Sequence, residues 1–254
     1  MPLLTELSSQ NHHNLKIIPS GIIEHAAKQH LLQLRASEIA NAACSFPVFL
    51  SRNNVNGAWA FSAMCGIELQ HNLFVIDGHW QSVFQPLSAQ TYPFYLMQLE
   101  NQEKQYGVGF DAQSAALSEQ QGEALFNADK QASPHLSKVT QALDSEINSL
   151  SQTHQLTQTL EQLSLIKALD LHIVYGDGQT NRITGLHTID EDRLRSLPGD
   201  TLVNLNDAGY LTPIHAMLMS IYQLNSLINR HNALPGKASI STIKMEVSKS
   251  NTLA

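Results

Sequence analysis

The stretch Gly185–His231, GLHTIDEDRLRSLPGDTLVNLNDAGYLTPIHAMLMSIYQLNSLINRH, carries the densest local structure signals in the chain. Asp190 stands just ahead of Glu191 and Asp192, so an N-cap oxygen and two carboxylates can meet the free amides at the positive end of a helix. Leu194 and Leu197 give that helix one apolar edge, and Pro198-Gly199 stops it. Asp200 then caps a second short helix, with Leu202 and Leu205 inward and Gly209 at the left-handed closing position. Thr212-Pro213 reads as an N-cap followed by proline at the first helical position, and Ile214, Met217, Leu218, Ile221, Leu224 and Ile228 recur at helical spacing. The expectation is two short helices in series and then a buried C-terminal helix.

Upstream, DLHIVYGDGQTNRITGLHTI alternates, with Leu171, Ile173 and Tyr175 on one face and Gly176-Asp177-Gly178 as the turn of a hairpin. Before it, Ser133-Pro134 opens a helix, and Leu136, Val139, Leu143, Ile147 and Leu150 follow at three- and four-residue steps. After Ser151 the apolar register moves to Leu156, Leu160, Leu163 and Ile166, which means either one long helix with a change of face or two helices broken near 150–153. The middle of the chain is strand-rich. FPVFLS and AWAFSAMCGI flank a turn at 53–57, LFVI and HWQSVF flank Asp77-Gly78, and YPFYLMQLE can pair with QYGVGF. Ser118-Glu119-Gln120-Gln121 has the spacing of a capping box and suggests a single helical turn. Near the N-terminus, Ile22, Ile23, Ala26, His30, Leu31, Leu34 and Ile39 suggest a helical segment with one buried side. The fold class expected is α+β: a mainly antiparallel sheet built from hairpins, packed with helices, in one domain over 1–231. Residues 232–254 read as a polar, mobile tail with a short strand at ISTIKMEV.

Hydrophobic residues make up 43% of the 254 and charged residues 15%, which suits a folded chain, and a formal net charge of −7 argues against nucleic acid as the main partner. The 12 histidines outnumber that excess of negative charge, so mild acid reverses its sign. Cys44 and Cys65 sit in apolar settings that fit two reduced core thiols. No basic start followed by a long apolar run marks a secretory signal, and no apolar run approaches the roughly 20 residues of a membrane span. The cytoplasm is the expected location.

Familiar chemistry is missing. No histidine is followed two places on by Asp or Glu, and H-E-x-x-H, C-x-x-C, G-x-x-x-x-G-K and G-x-S-x-G are all absent. Gly176-Asp177-Gly178 lacks the third glycine and following helix of a dinucleotide site. Ser-x-x-Lys occurs twice, at Ser164 and Ser241, without companion motifs. Neither a cofactor nor a metal is expected. Candidate binding residues are Asp77, His79 and Trp80 at a hairpin end, with His187 and His215 from the opening stretch. Each has a plain competing role: Asp77-Gly78 as a turn, Trp80 as a core cap, His215 as a boundary histidine on the first turn of a helix. His187 with Asp190 and Asp192 could ligate a metal, but Asp190 is better explained as an N-cap.

With these residues placed, the chain resembles the bacterial SapC-like family, through PLLTELSSQNHHNLKIIP, FPVFL, NLFVIDGHWQSVFQP with TYPFYL, GEALFNADKQASPHL, and GLHTIDEDRLRSL with GYLTPIHAMLMSIYQL. The order and spacing of these segments, over about 1–231, carry the likeness. It is not a likeness to the peptide-transport permease that shares the letters. The resemblance implies, by the family's name, association with the surface layer and a cell-surface location as the alternative to the cytoplasm. It also implies company with flavin-dependent tryptophan halogenases, cupin-like proteins and TonB-dependent receptors. The family pattern places a histidine near Ala216-Met217, where this chain has Met217 and carries His215 instead. The reading is a non-enzymatic binding or accessory protein with a protein or peptide partner, able to form a homo-oligomer. The alternative is an enzyme acting on a peptide or small metabolite through a pocket of His79, His187 and His215. A structural surface-layer subunit ranks below both.

Overall fold

Glycines at positive φ close the β-hairpins at Gly78 and Gly178, as alternating sequence with short left-handed turns requires. The structure, a computed structural model, describes residues 4–52, 57–99 and 106–248. The first elements are β1 (Leu4–Glu6), β2 (Lys16–Ile17), α1 (Pro19–Ala27), β3 (Leu31–Leu34), a 3-10 turn (Ala36–Glu38), α2 (Ile39–Ala42), β4 (Val48–Arg52) and β5 (Trp59–Met64). There follow β6 (Val75–Ile76), β7 (His79–Trp80), α3 (Leu87–Gln90), β8 (Phe94–Gln98), β9 (Tyr106–Asp111), β10 (Leu117–Ser118), β11 (Glu123–Ala124) and α4 (Pro134–Gln162). The remainder is β12 (Ile166–Tyr175), β13 (Thr180–Ile189), α5 (Glu191–Arg195), α6 (Gly199–Asp207), α7 (Leu211–Ser220), a second 3-10 turn (Ile221–Gln223), α8 (Leu224–Asn232) and β14 (Ile240–Val247).

The class is α+β, and the strand pairings are antiparallel. The largest sheet has six strands in the order β14-β12-β13-β4-β5-β3. Two smaller sheets, β1-β9-β8 and β10-β2-β11, and the β6-β7 ribbon complete the set among the described residues. Asp77 and Gly78 have φ of 49° and 72°, the two left-handed residues of a type I′ turn. β12 and β13 pair from Ile166↔Ile189 to Val174↔Thr180, with a register shift between Leu169 and Leu171. Gly185, at φ 80°, lies across from that shift. On its other side β13 meets β4 at the pair His187↔Leu50.

Two apolar cores result, and α4 spans both. Leu136, Val139 and Leu143 pack with Ile17, Tyr92, Phe94, Phe110 and Leu125, whereas Leu156 and Leu160 join the larger core of Phe46, Phe49, Phe61 and the β12–β13 leucines. The change of face along the helix therefore belongs to one continuous helix of 29 residues.

The opening stretch folds much as its caps demand. Asp190 Oδ1 accepts from the Arg193 amide at the start of α5, and Gly209 closes α6 at φ 72°. Asp200 lies in the first turn of α6, whose N-cap is Pro198, and α7 begins at Leu211, just ahead of the expected Thr212 cap. A 3-10 turn separates α7 from α8 where one helix was expected.

Other expectations change more. The helix expected from Ile22 to Ile39 is α1, β3 and α2 in succession, because Leu31–Leu34 pairs with β5 as a strand of the large sheet. Within the C-terminal stretch, the short strand expected at ISTIKMEV forms as β14, and it pairs with β12 from Thr242↔Val174 to Val247↔Leu169. Ser118 forms no helical turn; its hydroxyl accepts the amides of Gln120 and Gln121 in a bend between β10 and β11. Cys65 is buried, which pushes its thiol pKa up, but Cys44 is exposed rather than in the core. Residues 53–56 of the expected turn lie outside the described residues. Among the described residues no helix is long and apolar enough to cross a membrane.

Candidate functional site

Cross-strand pairing assembles a cleft from residues far apart in sequence. Ala168 on β12 lies opposite His187 on β13, His187 lies opposite Leu50 on β4, and Arg52 lies opposite Trp59 on β5. Opposed residues of an antiparallel pair, and residues two apart along a strand, share one face of the sheet. Ile166, Ala168, His187, Arg52 and Trp59 therefore project to one side. Together with Val247 and Ser248 they line a cavity of about 630 Å³.

The aromatic and charged members touch one another. The Trp59 and His187 rings meet edge to face, with centroids 4.7 Å apart and planes at 77°. The Arg52 guanidinium carbon lies 4.6 Å from the Trp59 ring centroid, within cation–π range. Its Nη2 donates to Glu161 Oε1 at 2.6 Å, which ties the end of β4 to the last turn of α4. Arg52 is thus stacked on an indole and anchored to a carboxylate, with its side chain half exposed.

His187 is 9% exposed, and its Nδ1, like Trp59 Nε1, is buried with no hydrogen-bond partner among the described residues. An indole N–H is a donor only, and a buried polar atom left unpaired costs about 1–3 kcal/mol. Two neighbouring side chains at this cleft thus hold unused hydrogen-bonding capacity. Burial holds the His187 imidazole below its ordinary pKa; polar contact with the backbone of Gly185 and Leu50 opposes this, and the Arg52 cation adds to the depression. The ring is accordingly neutral near pH 7.

Of the residues expected from sequence, His187 alone lines this cavity. Asp77 turns the β6-β7 hairpin, and its carbonyl oxygen lies 2.7 Å from Nδ1 of the exposed His79. Trp80 donates from Nε1 to the Phe84 carbonyl at 3.0 Å and packs beside Phe46 and Phe74, so it caps the core. His215 is exposed on α7. Asp190 caps α5 and lies 3.5 Å from Lys167, and among the described residues no three His, Cys, Asp or Glu side chains group in a way that could hold a metal. Arg52 and Trp59 escaped the sequence reading. The signal available for them was weak: a tryptophan opening one strand and an arginine closing the preceding one.

A family model described as SapC matches residues 7–227. The chain belongs to the SapC family. No curated protein and no solved structure matches the chain. The matched residues of this SapC member include His187, Arg52, Trp59, Ile166 and Ala168, while Val247 and Ser248 at the cleft's outer rim lie beyond them.

Proposed function

We propose that this SapC family member is a non-enzymatic binding or accessory protein that seats a segment of a protein or peptide partner in the cleft at His187. The observation that supports this best is the meeting, in one cavity, of an indole, a guanidinium and a buried imidazole with unused bonding capacity. Tryptophan and arginine are enriched among the residues that dominate binding energy at protein interfaces. A cavity of about 630 Å³ is large enough to take partner side chains. In this reading Trp59 and Arg52 offer stacking and charge, His187 a hydrogen bond, and Ile166 and Ala168 an apolar floor. The surface layer, halogenases, cupin-like proteins and TonB-dependent receptors implied by the family resemblance supply the first partners to try. Protease treatment of intact cells separates a cytoplasmic from a cell-surface location.

A photo-activatable residue in place of Ile166 tests the reading in the native cell. The expected result is a discrete crosslinked partner that disappears when Trp59→Ala is added. A crosslink indifferent to Trp59→Ala, or turnover of a substrate by the purified chain alone, would overturn it. The enzymatic alternative retains His187 at this cleft but gains nothing there from His79 or His215.

A further inference from the structure

β14 is the outermost strand of the six-stranded sheet, paired on one side with β12. The Ser248 amide donates to the Ala168 carbonyl, so amides and carbonyls of the even-numbered residues face β12, while those of Ile243, Met245 and Val247 face away. Among the described residues no strand pairs with that outer edge. Met245 is 46% exposed and Val247 63%, on a strand whose intervening residues are Lys244 and Glu246. An open edge of this kind is a template for another strand unless something blunts it.

We infer that the outer edge of β14 pairs with the same edge of a second copy, antiparallel about a twofold axis at Met245, joining two six-stranded sheets into one. The strand's charges select the register. With Met245 opposite Met245, Lys244 of each copy lies opposite Glu246 of the other, and Ile243 lies opposite Val247. The outward-facing amides and carbonyls of Ile243, Met245 and Val247 then bond across the axis. Moving the axis to Lys244 puts two ammonium groups directly opposite, and moving it to Glu246 does the same with two carboxylates. Opposite-charge cross-strand pairs stabilise and like pairs destabilise, and twofold symmetry counts each pair twice. Because Val247 and Ser248 also line the cavity at His187, the second copy's strand would run beside the rim of each cleft. A contact built on one strand pair falls below the size of a standard protein interface, so the association is weak and concentration-dependent.

Sedimentation velocity on the full chain over a hundredfold concentration range tests this. The wild type is expected to shift from monomer to dimer. Glu246→Lys, which sets Lys opposite Lys twice, is expected to weaken association at least tenfold, and so is Lys244→Glu. The double variant Lys244→Glu/Glu246→Lys restores complementarity and is expected to regain most of the dimer, which a merely misfolded strand would not do. Met245→Pro removes an outward amide that β12 does not use, and is expected to leave a folded monomer by circular dichroism. A wild type monomeric throughout overturns the inference. So does a dimer that survives Glu246→Lys, or a double variant no better than the singles.

Discussion

Arg35 sits where α4 crosses the turn after β3. Its Nε donates to Glu146 Oε1 at 2.6 Å, with side chains 17% and 9% exposed. Glu38 caps the same corner, accepting from the Arg35 amide at 2.9 Å and the Leu87 amide at 2.8 Å. Removing one partner of a largely buried pair leaves the other charge uncompensated, so Glu146→Ala is expected to cost about 3 kcal/mol in urea unfolding. Removing both, as Arg35→Met/Glu146→Leu, is expected to recover most of that loss. A double variant less stable than Glu146→Ala would show that the pair supports the corner by more than mutual neutralisation. Gly66 is constrained by space rather than charge. A β-carbon there would stand 1.8 Å from the His71 carbonyl oxygen, a backbone atom that cannot swing aside. Gly66→Ala is therefore expected to lose about 2 kcal/mol or more. Thermal unfolding within a degree of wild type would contradict that close approach.

α4 is the element that couples the two cores, since Leu143 packs into one and Leu160 into the other, each almost wholly buried. Truncating either to Ala should cost about 2–5 kcal/mol. Both variants are expected to move one shared unfolding transition, because a continuous helix cannot release one half without straining the other. Two separated transitions in calorimetry would show that the cores unfold independently. The helix's change of face was legible in the sequence, as were the Asp77-Gly78 and Gly176-Asp177-Gly178 hairpins, because periodicity and turn residues are local properties. β3 was not legible. Leu31, Leu34 and Ile39 fit the buried side of a helix, and the contact that makes Leu31–Leu34 a strand is with β5, across a 3-10 turn, α2 and β4. The same limit applies to the cleft. His187 could be singled out by type, but Arg52 and Trp59 acquire their role through pairing across β4 and β5 and through Glu161 on α4, 109 residues from Arg52.

At the scale of the whole molecule, histidine burial sets the response to acid. His25, His30, His135 and His187 are each held below the ordinary value of 6.5, with burial the largest cause in every case. Asp111 opposes and Lys28 reinforces the effect at His25, as Glu123 and Lys138 do at His135. His25 stacks on Tyr92 of the smaller core and His187 borders the larger, so both cores are exposed to the same titration. Below pH 6.5 the unfolded chain takes up protons that the folded chain refuses at these four positions. Their contribution is therefore fully present above 6.5 and is lost as pH falls toward the depressed folded values. Urea midpoints are expected to be lower at pH 5.5 than at pH 7.5 at constant ionic strength, and His135→Gln or His187→Gln should each flatten the difference. Glu38 works with the opposite sign. Burial raises its carboxyl pKa above 4.5, so the folded chain binds that proton first, and acidification toward the carboxylate range favours the fold at this one position. Glu38→Gln is accordingly expected to steepen the acid loss rather than relieve it. A midpoint unchanged or higher at pH 5.5 would mean that the buried imidazoles are solvated in the folded chain as freely as in the unfolded one.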